Sequence, residues 1–190
     1  MDGARPRDRV FTLVLGTAGT IRRLSPPSTA AGVSSQASDQ RPRAATARPQ
    51  PDVKALLDAA ADRRGLPRPL VEATAYWESG WDQSRVSGTG AVGLMQIQPE
   101  VAAEMGPRLL GHPADLQDPA ENADLGAAIL KAYIDDQGGD VESGLAAYYE
   151  GPGELAANGY SYDTPEYVAG VTALRDLLER GEPLPAPAAP

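Results

Sequence analysis

Arg68-Pro69-Leu70-Val71-Glu72-Ala73-Thr74-Ala75-Tyr76-Trp77-Glu78-Ser79-Gly80-Trp81 is the stretch on which the fold turns. Pro69 suits the first turn of a helix, where its missing N–H removes no bond. Leu70, Val71, Thr74 and Ala75 then fall on one side at helical spacing, and Gly80 stops the run. The same punctuation recurs along the chain. Asp52 can cap a helix carrying Val53, Leu56, Leu57 and Ala60, which closes near Gly65. Pro99 opens a short helix from Glu100 to Met105. Asp118 caps a long one begun by Pro119, with Leu125, Ile129, Ala132 and Tyr133 at helical spacing, ending at Gly138-Gly139. Asp140 caps a fifth through Leu145 and Tyr148. A short turn is expected from Gly153 to Ala157. Thr164 and Pro165 precede a last helix with Tyr167, Val168, Val171, Leu174 and Leu178. Alternating strand patterns are nearly absent, and Ala91–Gln96 is the one extended candidate. The expected class is mainly α.

Composition narrows the chemistry. The chain has 190 residues, no cysteine and one histidine. One domain with a sizeable core fits that length. A disulfide framework, a thiolate nucleophile and a cysteine zinc site are excluded. His112, in Gly111-His112-Pro113, reads as a surface loop residue, so no metal site is expected. Residues 1–50 carry eight Arg and three Asp, whereas residues 51–190 carry nine Lys/Arg and 23 Asp/Glu. An acidic body repels a phosphate backbone and argues against nucleic acid as a partner.

The first 50 residues do not read as a folded unit. Ser25 to Gln50 is rich in Ser, Ala, Pro, Gln and Arg, with Val33 its one large apolar side chain. Such a segment buries too little apolar surface to offset the entropy of ordering. Ahead of it, Arg5, Arg7 and Arg9 precede the mildly apolar run Val10–Ile21, a secretory or anchoring pattern weakened by three Thr, two Gly and the following Arg22-Arg23. A membrane association, if any, would run through this segment. A catalytic domain is expected over 51–180. The tail 181–190, rich in Pro and Ala, is expected to be extended or disordered.

Chemistry concentrates in Tyr76-Trp77-Glu78-Ser79-Gly80-Trp81, an acid between two tryptophans at a helix end. Apolar burial disfavours a carboxylate. The negative end of a helix disfavours it further. A carboxyl kept protonated near neutral pH can act as general acid toward a glycosidic oxygen, and flat aromatic faces suit sugars. The same residues equally fit a surface glutamate beside core tryptophans. Downstream, Ser87-Gly88-Thr89-Gly90-Ala91-Val92-Gly93 forms a glycine-rich turn leading into Leu94-Met95-Gln96-Ile97-Gln98-Pro99. Its glycines leave backbone groups open to a ligand. The spacing and lysine of a phosphate loop are missing.

These segments resemble the soluble lytic transglycosylase (SLT) domain of the goose-lysozyme-like family. Glu78-Ser79-Gly80-Trp81 and Gly93-Leu94-Met95-Gln96 look like its Glu-Ser and Gly-Leu-Met-Gln motifs. Asp118-Pro119 with Asn122, Gly126 and Leu130 is similar to its central helix. Ala147-Tyr148-Tyr149-Glu150-Gly151 resembles its Ala-Tyr-Asn-Ala-Gly segment, and Thr164-Pro165-Glu166-Tyr167-Val168 its terminal helix. The five segments stand in the family's order over most of residues 65–175. The resemblance implies a lysozyme-like helical domain with a substrate groove. It implies cleavage of the β-1,4 bond between N-acetylmuramic acid and N-acetylglucosamine in peptidoglycan, leaving a 1,6-anhydro end. Glu78 would be the acid and then the base. Ser79, Met95, Gln96, Tyr148, Tyr149, Glu150 and Tyr167 would bind substrate. Peptidoglycan strands would be the partner, the protein a monomer of the cell envelope or its exterior, and no cofactor is called for.

A one-carboxyl route needs no catalytic partner, unlike the two-carboxylate glycosidases. A hydrolytic lysozyme of the same fold would need a second acid, with Asp82 and Glu150 the candidates. A non-catalytic glycan-binding module is the other alternative. Tyr149 departs from the Asn common in the family, so that residue's part in holding substrate does not carry over. Glu150, if close, would push the Glu78 carboxyl up; facing solvent, it would not. Tyr133 is expected to pack in the core. Tyr167 could pack there too, and a buried hydroxyl would then need a partner.

Overall fold

A computed structural model describes residues 52–187. The expectations for residues 1–50 lie outside that range. Among the described residues run α1 (Val53–Arg64), α2 (Arg68–Ser79), α3 (Pro99–Leu109), α4 (Pro119–Asp136), α5 (Val141–Glu150), α6 (Pro152–Asn158) and α7 (Thr164–Glu179). The expected caps form. Asp52, Asp118 and Asp140 each accept from backbone N–H groups of the first turn they precede, which satisfies donors that the helix itself cannot.

Five helices close a ring: α1 packs on α2, α2 on α7, α7 on α5, α5 on α4 and α4 on α1. Outside the ring, α3 rests on α4 and α6 on α5. The α2–α7 contact depends on Gly170. A Cβ there would come within 1.8 Å of the Trp77 ring, so the indole of α2 lies directly on the backbone of α7. Between α1 and α4, Asp124 accepts from Arg64 Nη2 at 2.8 Å and from Arg63 Nε at 3.1 Å.

The segment between α2 and α3 is irregular yet deeply placed. Residues Ala91 to Ile97 are buried, with Leu94 and Met95 fully so. Buried backbone needs hydrogen-bond partners, and three helices supply them as side chains. Asn122 of α4 donates to Val92 O at 2.9 Å and to Leu116 O at 3.2 Å, and accepts from Met95 N at 2.9 Å. Ser79 of α2 lies 2.9 Å from Leu94 O. Tyr148 of α5 donates to Met95 O at 2.8 Å. Gly93 is required here: its φ is +79°, and a Cβ would strike the Asn122 amide at 2.3 Å. The extended piece expected over Ala91–Gln96 amounts to two isolated bridges, Val86 with Val92 and Val92 with Ile97.

Three local expectations are revised. The third helix does not end at Met105 but continues to Leu109 through Pro107. Pro107 sits in the last turn and has no N–H to give Ala103 O, so the helix gives up one bond there, and Leu110 N closes the end on Gly106 O at 2.8 Å. The expected turn at Gly153–Ala157 is a full short helix, α6. The tail over residues 182–187 has no regular secondary structure and touches α2: Tyr76 donates its hydroxyl to Pro185 O, and Pro187 lies over the bare face of Gly80. No helix among the described residues is long and apolar enough to cross a membrane.

Candidate active site

Glu78 occupies the last turn of α2, where the ring brings α2, α5 and α7 together with the buried loop. It is 7% exposed. From α7, Tyr167 donates its hydroxyl to Glu78 Oε1 at 3.0 Å. The Tyr167 ring, 2% exposed, is fixed on two sides. Trp77 meets it edge-on at 6.0 Å, and Tyr149 of α5 stacks on it at 4.6 Å with planes 28° apart. Aromatic pairs favour these two geometries. The donor to Glu78 is therefore aimed by packing.

Glu78 lines a pocket of about 340 Å³ together with Gln96, Ile97, Tyr148, Tyr149, Glu150 and Gly151. Thr89, Gln98, Glu100, Val101, Ile129 and Tyr133 complete the wall. Gln96 is held in an uncommon backbone conformation, φ +46°. Its Nε2 donates to Gly93 O at 3.0 Å and Arg85 O at 3.2 Å. Non-glycine residues with positive φ cost energy and persist where the surroundings hold them.

Of the residues expected to bind substrate, Gln96, Tyr148, Tyr149 and Glu150 share the pocket wall with Glu78. Ser79, Met95 and Tyr167 stand behind that wall. Ser79 ties α2 to the loop, Met95 is fully buried with its backbone bonded to Tyr148 and Asn122, and Tyr167 reaches Glu78 from the core. Glu150 neither points idly outward nor stands alone: its Oε1 accepts from Ser161 N at 2.9 Å and from the Thr164 hydroxyl. Asp82 is an exposed turn residue outside the pocket lining. Bonds from the Ser84 hydroxyl and amide hold its carboxyl below the usual range.

Two sequence expectations change. The tryptophans do not line the pocket. Trp77 is buried against α7, and Trp81 turns back to meet Tyr76 edge-on at 5.4 Å while its Nε1 donates to Glu72 O at 2.9 Å. The cause is the chain reversal at Gly80 and Trp81, whose φ values are +67° and +66°. Tyr133, expected in the core, lines the pocket instead. Burial, then the nearby Glu104 and Asp136 charges, push its hydroxyl up. The flat aromatic faces of the site are thus tyrosines. Gln83 was not singled out by any motif; it accepts from Leu94 N at 3.2 Å and donates to Leu116 O at 2.9 Å, bracing the loop from its other side. Among the described residues, no group of three or more His, Asp or Glu is placed to hold a metal ion.

The sequence profile of the family described as "Transglycosylase SLT domain" matches residues 55–168. A transglycosylase of Enterobacteria phage PRD1 is 35% identical over 95 residues, covering 50% of this chain and 33% of that protein. The soluble lytic murein transglycosylase of Escherichia coli strain K12 is 32% identical over 94 residues, covering 47% of this chain and 15% of that protein. Among solved structures, an inactive mutant of the lytic transglycosylase Slt from Pseudomonas aeruginosa has a TM-score of 0.60 at 28% identity, over 71% of this chain and 25% of that one. The 70 kDa soluble lytic transglycosylase of Escherichia coli gives 0.58 at 26% identity, over 67% and 24%. The chain spans a third or less of each of these proteins. Its helical architecture agrees with the lysozyme-like fold expected from the sequence.

Proposed function

The chain belongs to the transglycosylase SLT domain family, whose match spans residues 55–168, and on that footing we propose that it is a lytic transglycosylase acting on murein. The bond cut is the β-1,4 link between N-acetylmuramic acid and N-acetylglucosamine, and the product carries a 1,6-anhydro end. The observation that carries this reading is the placement of Glu78: a buried carboxyl on the wall of a pocket rich in tyrosine, with its Oε1 fixed by the Tyr167 hydroxyl at 3.0 Å.

In this scheme Glu78 enters protonated and gives its proton to the glycosidic oxygen as the C1–O bond breaks. The substrate's own N-acetyl oxygen stabilises the cation at C1. The Glu78 carboxylate then removes the proton from O6, which attacks C1 and closes the anhydro ring. One carboxyl donates and then accepts, and no water is consumed. A hydrolytic route would need a second carboxylate with a water. Asp82, outside the lining and bound to Ser84, and Glu150, bonded through Oε1 to the 161–164 segment, support the one-carboxyl route. The substrate places the protein in the cell envelope or outside it, acting as a monomer along glycan strands.

Digestion of purified peptidoglycan followed by mass spectrometry tests the reading. Anhydro-ended muropeptides are expected from the wild type and none from Glu78→Gln. Reducing ends would overturn the transglycosylase route in favour of hydrolysis. Glycan binding without cleavage by either protein would overturn the enzyme reading.

A further inference from the structure

Three large hydrophobic side chains stand exposed among the described residues, and two of them are Tyr160 and Tyr162. They are 60% and 97% exposed. Neither belongs to a helix; both lie between α6 and α7. Yet the residue between them is firmly held. Ser161 N donates to Glu150 Oε1 at 2.9 Å, the Ser161 and Thr164 hydroxyls lie 3.1 Å apart, and Thr164 N donates to Ser161 O at 3.3 Å. The Thr164 hydroxyl also donates to Glu150 Oε1. Glu150 itself is part of the pocket wall beside Tyr148 and Tyr149. The two exposed rings therefore flank a segment bonded directly to the rim of the pocket.

We propose that Tyr160 and Tyr162 form a sugar-stacking platform that extends the pocket along the glycan strand, a proposal resting on the murein reading above. The two rings supply apolar faces with polar tips, the combination that favours a surface wet on one side and apolar on the other. Holding Ser161 by several bonds lowers the ordering cost of binding, because the segment is already placed. Charge supports a ring-based contact as well. Residues 51–190 carry 23 Asp/Glu against nine Lys/Arg, so electrostatic attraction is a poor way for this domain to hold a polymer. Stacking on sugar faces does not depend on net charge.

The platform is tested in the full chain carrying Glu78→Gln, so that binding is read without cleavage. Co-sedimentation with insoluble peptidoglycan is measured for this protein and for the versions with Tyr160→Ala plus Tyr162→Ala, and with both tyrosines changed to Phe. Removing both rings is expected to weaken binding roughly fivefold to a hundredfold, the combined range of two aromatic contacts. Phenylalanine should keep most of the affinity, since the ring survives. Binding should change little between low and high salt. Unchanged binding of the alanine version overturns the platform, and so does an equal loss with phenylalanine. In the cleaving protein, the alanine pair should raise KM on long strands more than on short oligosaccharides; an equal rise overturns the proposal. If the wild type binds but never cleaves, the enzymatic reading fails while the co-sedimentation result still decides the platform.

Discussion

Helix α2 buries two glutamates, and their surroundings could hardly differ more. Glu72 is 3% exposed and Glu78 is 7% exposed. Glu72 accepts from the Lys54 ammonium at 2.9 Å, on the side where α1 packs. Glu78 accepts from a neutral hydroxyl, Tyr167, at 3.0 Å and faces the pocket. Burial outweighs the Lys54 ammonium, which favours the charged form of Glu72, and leaves this carboxyl above its ordinary range. The Tyr167 hydroxyl carries no charge, and Glu78 opens on the pocket where the proposed acid and base steps would take place. Burial is common to both residues; access to the pocket is what separates the proposed catalytic group from the other.

The sharpest way to break this contrast is to neutralise each acid in turn. Glu78→Gln should lower the rate of murein cleavage by roughly 10²- to 10⁴-fold, the usual weight of a general acid or base. Glu72→Gln should leave cleavage near the wild-type rate, with a stability loss of about 1 kcal/mol or less. Release of anhydro muropeptides over time measures the first, and a thermal melt the second. If Glu72→Gln were as inactive as Glu78→Gln, the two sites would not be separable and the contrast would collapse.

Tyr167→Phe probes the neutral donor itself. The ring keeps its stack on Tyr149 and its edge contact with Trp77, and only the hydroxyl is lost. A roughly threefold to tenfold fall in kcat is expected, the value of one ordinary hydrogen bond. KM should move little, because Tyr167 lies behind the pocket wall. A change confined to KM would mean that the hydroxyl binds substrate and does not position Glu78.

Much of this arrangement is legible in the sequence alone. Asp52, Asp118 and Asp140 announced their helices because an N-cap is a local device, complete within four residues. Glu78, Gln96, Tyr148, Tyr149 and Glu150 could be named through ordered motifs. What escaped was lateral placement. Tyr133 shares a helix face with Leu125 and Ile129, and spacing cannot say that this face changes from core to pocket wall along its length. Trp81 stands close to Glu78 in sequence, which suggests a shared site. Two successive left-handed residues then carried it to the opposite side of α2. The buried loop was hidden for a further reason. Its partners Gln83, Asn122 and Tyr148 come from separate parts of the chain, so no single segment carries the pattern.

Gly170→Ala tests how far the Glu78 side depends on packing. Its Cβ would meet the Trp77 ring at 1.8 Å, so α7 must move away from α2. Overpacking of this kind costs about 1–3 kcal/mol. Since Tyr167 rides on α7, cleavage should fall along with the melting temperature. Full activity with lowered stability would show that Glu78 tolerates a displaced donor.

The smallest effect, and the one that most sharpens the comparison, concerns pH. Burial is the main influence on Glu72 and pushes its carboxyl above the ordinary 4.5; the Lys54 bond pulls the other way, and neighbouring Asp58 adds to the rise. Asp124 is the counterexample on α4. Its burial also favours the neutral form, but bonds from Arg64 and then Arg63 outweigh it and hold the carboxyl below 3.8. The signs follow by linkage. Folded Glu72 takes up its proton at a higher pH than unfolded Glu72, so its contribution to stability grows as pH falls through the folded value. Asp124 contributes above its ordinary value, and that contribution is lost as pH falls below it. Melts of wild type and Glu72→Gln from neutral pH downward should therefore show the wild type gaining on the variant before acid unfolding begins. Wild type and Asp124→Asn should instead converge only at the acid end. If the gap between wild type and Glu72→Gln narrowed on acidification, the Lys54 pair would dominate burial at Glu72. Glu72 would then be held as the anion of an ion pair, set apart from the pocket-facing Glu78.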